Sequence, residues 1–491
     1  MAIRRALALP ALAGAAAAAF AAALAHAASP GTEVNVTNDP RYRWGESQIA
    51  VNPRNPDNLV FATVGVGFTK ACQQGPGCQT VPVDFGVGMP FPQPKAMFTD
   101  PDFNRVYAFT SFDRGRTWKR YDIPPTPRDH PDLTGTGDPY VTAGKDGTFY
   151  FSFDDNNWGT PEKALPNAGV AVSKSTDGGR TWSVPVLGGT PVDGPRITAD
   201  LVTGTVYVSS SGSLGPTSTG DKATPRGTLQ SRWVAASRDG VQWSKPQPMG
   251  GFGANMSAAH GLLASAFKTT GQRSMFDSPN NDLCAGAPAP CTIFQTSPDQ
   301  GATWSRHVMP VPNTHTGFVL VAADPSRKGH FAVGLSMNDD GEFHVYQTRD
   351  AGATWTGPAI VTEDASKPHF HGNMAYSRQG VLGIMWRTRQ LQPGQKLPPQ
   401  RLPGMGPAVP YSVWAAVSRD GGATFSEPLR ASSVDSPAPQ SGPFAGSGDD
   451  FSGLAVEGRN VYVGWADWRV AERDNFFRAF KLSEFRFKAK R

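Results

Sequence analysis

The string Ser111-Phe112-Asp113-Arg114-Gly115-Arg116-Thr117-Trp118 returns along the chain with small changes. Ser175 to Trp182 and Ser297 to Trp304 repeat the Ser-x-Asp-x-Gly-x-Thr-Trp order. Thr348 to Trp355 begins on Thr, Ser418 to Phe425 ends on Phe, and Ser237 to Trp243 is one residue shorter. First residues of successive copies lie 64, 62, 60, 51 and 70 positions apart. A four-stranded antiparallel blade with its loops takes about that many residues, so a repeat of this period points to a β-propeller.

The residue types suit a tight turn. The carboxylate of Asp113, Asp177, Asp239, Asp299, Asp350 or Asp420 can accept N–H bonds from its own turn, and Gly tolerates positive φ. The hydroxyls add local bonds, and the aromatic ring covers apolar area on a sheet. These aspartates are therefore read as turn architecture and not as catalytic groups.

The six segments resemble the Asp-box, or BNR, repeat of the sialidase superfamily, and the resemblance spans nearly the whole chain after its leader. It implies an all-β propeller that acts on glycans. Sialidases have six blades, which stands as the alternative, whereas the strand patterns here count to seven. Each box joins strands 3 and 4 of a blade. After the last box three further strands follow, near Phe451–Val456, Asn460–Trp465 and Phe477–Phe487. A lone strand at Glu33–Thr37 is expected to complete that seventh blade and so close the ring without an exposed edge.

Outward from the repeat, the N-terminus reads as a targeting segment. Arg4 and Arg5 precede an Ala/Leu-rich run, and Ala25-His26-Ala27 forms a small-x-small cleavage site. Residues 1–27 are expected to be a signal peptide and residues 28–491 a single propeller domain, secreted or periplasmic, monomeric and without a membrane span. Abundant Gly (54) and Pro (44) agree with many short strands and turns. A formal charge of +5 with no Lys/Arg stripe argues against nucleic acid as a partner. The four cysteines form two close pairs, and in an oxidising compartment disulfides Cys72–Cys78 and Cys284–Cys291 are expected.

Alternating strand direction puts the boxes on one face and the long 2–3 loops on the other, where strand 1 of each blade begins at the mouth of the central channel. Candidate acid/base residues there are Glu46, Asp138, Asp193, His371 and Asp450, because carboxylates brought together raise one another's pKa. Arg43, Arg196, Arg387 and Arg469, with Trp386 and Trp468, are candidates for substrate binding. His369 and His371 on one strand supply only two metal ligands, so no metal or cofactor is expected. A sialidase clamps its substrate carboxylate with three arginines and reacts through a tyrosine, a glutamate and an aspartate. The Phe/Tyr-Arg-Ile-Pro start of true sialidases is absent, and the nearest string, Gly194-Pro195-Arg196-Ile197, falls in blade 3. The expected function is a carbohydrate-active enzyme, a glycoside hydrolase acting on a carbohydrate or glycoconjugate. A polysaccharide lyase and a non-catalytic glycan- or protein-binding propeller are the alternatives.

Overall fold

The structure is a computed structural model. It describes residues 31–67, 80–83, 91–94, 104–125, 135–156, 159–160, 163–164, 169–188, 192–212, 232–250, 254–269, 284, 290–312, 314–337, 342–391, 409–437, 451–470 and 473–488. The expected signal peptide, the Cys72–Cys78 pair and Asp450 lie outside them.

Seven four-stranded antiparallel sheets follow one another along the chain, giving a seven-bladed propeller. The six-bladed alternative is set aside by that count. Blade 1 is Arg43–Val51, Leu59–Val66, Asn104–Ser111 and Lys119–Asp122. Blade 2 is Gly135–Ala143, Phe149–Asn156, Gly169–Ser175 and Val186–Gly188. Blade 3 starts with Val192–Ala199, blade 4 with Asn255–Ala259, blade 5 with His315–Ala323 and blade 6 with His369–Tyr376.

Blade 7 takes Gly453–Glu457, Asn460–Asp467 and Asp474–Lys481 from the C-terminus and Val34–Asn35 from the N-terminus. Val34 pairs with Phe477 and Asn35 with Phe476, so the ring closes as the sequence leads one to expect. Side chains reinforce the seam. Asp474 accepts hydrogen bonds from the Asn35 amide at 2.9 Å and the Thr37 hydroxyl at 2.7 Å. Arg469 pairs with Glu33 and, at 2.6 Å, with Asp467. The third C-terminal strand begins and ends earlier than the apolar pattern suggests. A short 3-10 turn, Leu482–Glu484, follows it and turns Phe485 into the core between blades 6 and 7.

Seven apolar clusters occur among the described residues, and each lies between two neighbouring blades. Trp44, Phe61 and Tyr107 of blade 1 meet Tyr462 and Phe477 of blade 7, for example. The core is thus seven layers between sheets, which is why the inner strands are apolar on both faces. Leu59–Val66 reads Leu-Val-Phe-Ala-Thr-Val-Gly-Val and is buried nearly throughout.

The boxes act as clips between blades as well as turns. Asp177 accepts the Thr181 amide at 2.9 Å and the Thr181 hydroxyl at 2.6 Å, while the Ser175 hydroxyl accepts the Gly179 amide at 2.8 Å. Asp113, Asp299, Asp350 and Asp420 repeat the Thr bonds. Asp239, in the shortened copy, bonds the amides of Val241 and Gln242 instead. Gly179 of blade 2, at φ +93, sits so close to blade 1 that a Cβ would lie 2.6 Å from Thr110 Oγ1 and 2.8 Å from Val60 Cγ2. The glycine is required by that approach as much as by its φ.

Two long 2–3 loops carry small hairpins of their own, which the alternation pattern does not reveal. Thr80–Val83 pairs with Phe91–Pro94 in blade 1, and Gly159–Thr160 with Lys163–Ala164 in blade 2. In blade 4 the Cys284–Cys291 disulfide ties its 2–3 loop to the start of strand 3, as expected, with Cα atoms 5.9 Å apart.

Candidate functional site

Strand 1 of several blades breaks register near its mouth end. The shifts fall between Gly45 and Gln48, Gly137 and Tyr140, Asp193 and Arg196, and Phe370 and Asn373. At each break one residue takes the left-handed conformation: Glu46 (φ 56), Asp138 (φ 50), Gly194 (φ 60) and His371 (φ 47). Three of the sequence candidates thus occupy one equivalent bulge position in blades 1, 2 and 6. A non-glycine residue held there costs about 1–3 kcal/mol and persists only where its surroundings fix it.

For Asp138 the fixing bonds are visible. Glu46 Oε2 accepts the Asp138 amide N–H at 2.9 Å, and Asp138 Oδ2 accepts the Gly194 amide N–H at 2.9 Å. Arg232 donates through Nη2 to the Gly194 carbonyl and through Nε to Ser209 Oγ at 3.2 Å. A hydrogen bond to a charged acceptor contributes about 1.5–3 kcal/mol, the same size as the conformational cost it offsets. Blades 1, 2 and 3 are therefore coupled through their bulges.

Beside this chain of bonds stands a stack. The Arg196 guanidinium lies 4.1 Å from the Tyr140 ring centroid and 4.4 Å from that of Phe451. The two rings meet edge to face at 5.0 Å. Blades 2, 3 and 7 supply the three side chains, so only the closed ring assembles them. Arg196 is half-buried and donates a hydrogen bond to the Pro195 carbonyl at 3.1 Å. Burial pushes the Tyr140 hydroxyl up to about 12, with Arg196 and Arg232 pulling down and the Asp138 and Glu46 charges pushing up. At neutral pH Tyr140 is a phenol and a hydrogen-bond donor.

On the blade 6 side, burial holds His371 well below the usual imidazole value, and the Arg387 and Arg389 charges push the same way. His371 is neutral at pH 7, and its Nδ1 is buried with no hydrogen-bond partner among the described residues. Burial also lowers Arg389 to about 10, and its guanidinium stacks 3.9 Å over Phe370.

The other candidates divide. Arg387 is not placed to bind substrate as the sequence suggests: it is fully buried, donating to Ser452 Oγ and the Phe451 carbonyl at 3.0 Å each. It supports the strand that presents Phe451 to Arg196. Arg43 and Arg473 face the Trp468 ring at 5.8 and 5.5 Å, placing all three on the blade 1 and 7 side of the ring. Trp386 corrects the sequence reading: it is 0 % exposed, packed in the layer between blades 5 and 6, and its indole N–H bonds Glu363 at 2.7 Å. Arg469 is a further correction, since Glu33 and Asp467 engage it at the closing seam. The Asp193 backbone starts the blade 3 bulge; its side chain lies outside the description.

Tyr140, Arg232 and Phe451 were not among the sequence candidates. A usable signal was the recurrence of Gly beside a polar residue where strand 1 begins: Gly45-Glu46, Gly137-Asp138, Asp193-Gly194 and His371-Gly372. Tyr140 follows two residues after Asp138. Among the described residues no three His, Cys, Asp or Glu side chains group as metal ligands, and no helix is long and apolar enough to cross a membrane.

Fold and site together define a seven-bladed β-propeller whose mouth gathers carboxylates, an arginine–aromatic stack and a neutral histidine. No family model matches the chain, and no curated protein matches it. Its structural neighbours include sialidases and related propeller glycosidases. It is similar to a Hadza microbial sialidase, 18% identical, over 78% of this chain and 73% of that one, with a TM-score of 0.42. A protein of unknown function from Dyadobacter fermentans is 12% identical over 91% and 97%, at a TM-score of 0.45. NanB sialidase from Streptococcus pneumoniae is 10% identical over 92% and 98%, at a TM-score of 0.42. At these values the likeness is one of fold, and no residue role follows from it.

Proposed function

We propose that this chain is an exported carbohydrate-active enzyme that cleaves glycosidic bonds at the channel mouth. The observation that carries the reading is Asp138: a carboxylate on a left-handed bulge, beside the Arg196–Tyr140–Phe451 stack. Glycoside hydrolysis needs one carboxyl group to protonate the leaving oxygen and a second to act from the other side of the sugar ring. Asp138 is assigned the first role. The second is drawn from Asp193, next to Gly194, and Asp450, next to Phe451. The Arg196 and Tyr140 donors bind the glycan, whose sugar faces can also stack on aromatic rings.

One observation favours a second reading. A neutral His371 on the blade 6 bulge is suited to abstract a proton from a uronate, as in a polysaccharide lyase.

The test is a screen of the purified chain against chromogenic glycosides and anionic polysaccharides, beside Asp138→Asn. Release of a reducing sugar that fails in the variant supports hydrolysis. An unsaturated product absorbing in the ultraviolet supports the lyase reading. Glycan binding without turnover of any substrate assigns the mouth to a binding propeller and overturns both.

A further inference from the structure

We propose that Glu46 is a positioning residue: from blade 1 it holds the Asp138 bulge of blade 2, and Asp138 in turn holds the Gly194 turn that carries Arg196. The relay has a direction. The Glu46 carboxylate accepts the Asp138 amide at 2.9 Å, and the Asp138 carboxylate accepts the Gly194 amide at 2.9 Å. Each acceptor thus fixes the backbone of the next blade round the ring. The residues joined are 92 and 56 positions apart, so neither bond is a local turn.

Conformation adds a second, independent observation. Glu46, Asp138 and Gly194 all adopt φ between 50° and 60° at matching register breaks. Aspartate visits this region more readily than most residues, but not freely, and glutamate less so. For Asp138, the bond from the preceding blade supplies what the local sequence does not. At the end of the relay, Arg232 grips the Gly194 carbonyl, and Arg196 two residues on lies between Tyr140 and Phe451. A disturbance at Glu46 therefore reaches Arg196 through two amide bonds.

The chemistry separates Glu46 as a holder from Glu46 as a reacting group. A glutamine keeps a carbonyl oxygen able to accept the Asp138 amide but cannot exchange a proton as a carboxyl does. Its bearing on catalysis rests on the glycoside-cleaving reading above; the protection of the two amides does not.

The experiment compares the full chain with its Glu46→Gln and Glu46→Ala variants by hydrogen–deuterium exchange, following peptides spanning residues 135–143 and 192–199. Glu46→Ala is expected to speed exchange in both by about tenfold, and Glu46→Gln by no more than about twofold. A peptide covering residues 331–337, in blade 5, should not change in either variant and serves as the folding control. Where turnover is measurable, Glu46→Gln keeps the pH profile of the parent with an activity loss below about tenfold, and Glu46→Ala loses about a hundredfold. Equal exchange in all three proteins overturns the relay. Normal exchange with abolished turnover in Glu46→Gln also overturns it, by making Glu46 a reacting group. Should no substrate be turned over, exchange alone decides, and the failure then belongs to the glycosidase reading.

Discussion

Glu46 in blade 1 accepts the backbone N–H of Asp138 in blade 2 at 2.9 Å, across the layer where the two sheets pack. The bond ties a polar side chain at the mouth to a backbone that is otherwise disfavoured. On the opposite face the boxes do comparable work by other means: Asn58 of blade 1 donates to the Gly178 carbonyl of blade 2 at 2.9 Å, and Thr110 to that of Gly179 at 3.0 Å. Blades 1 and 2 are thus fastened at both ends of their shared layer, with apolar side chains such as Val60, Phe151 and Trp182 between.

The fastening on the box face depends on glycine. Gly179→Ala introduces a methyl group at φ +93, within 3 Å of Thr110 and Val60. Loss of more than about 2 kcal/mol is expected. Chemical denaturation checks it, and an unchanged midpoint would show that the box does not clip the blades together.

Ring closure makes a separate demand. Deleting residues 28–38 removes Val34–Asn35 from the edge of Asp474–Lys481, strips Asp474 of the Asn35 and Thr37 bonds and takes Val36 out of the layer between blades 1 and 7. The uncovered edge should lower the melting temperature and promote aggregation. Light scattering on heating measures both, and a monomeric variant as stable as the parent would refute closure by this strand.

The box aspartates set an acid limit. The Thr354 hydroxyl, the Thr354 amide and the Thr348 hydroxyl hold Asp350 down at about 2, against 3.8 for a free aspartate. Burial opposes the same set of bonds at Asp177, which also reaches about 2. A carboxyl whose folded pKa lies below its unfolded one stabilises the protein fully above the unfolded value, and that contribution is lost as pH falls through the folded value. Stability should therefore decline between about pH 4 and pH 2. Urea midpoints across that window test it; a flat profile contradicts the assignment.

How much of this was legible beforehand follows from distance along the chain. The box bonds join residues two to four apart, so Asp113 and its five counterparts could be read as turns directly. The closing strand was legible because six boxes and three surplus strands left one sheet short. The bulge bonds join residues from different blades, and no local pattern shows that Glu46 meets Asp138. Trp386 was misplaced for a related reason: it lies near the mouth end of its strand, but the neighbouring blade covers it entirely. Arg469 looked like a free fork until Glu33, at the far end of the chain, came to meet it.

The proposed division of labour puts the chemistry at the mouth and the stability in the boxes. Asp138→Asn and Asp177→Asn test it when both are measured for activity on the best substrate and for melting temperature. Asparagine at 138 can still accept the Gly194 amide, so activity or ligand binding should collapse while the melting temperature stays close to the parent's. At 177 the substitution weakens the Thr181 bonds, costing about 1 kcal/mol and leaving activity intact. An Asp177→Asn protein that is folded but inactive, or an Asp138→Asn protein with full activity, would contradict the account.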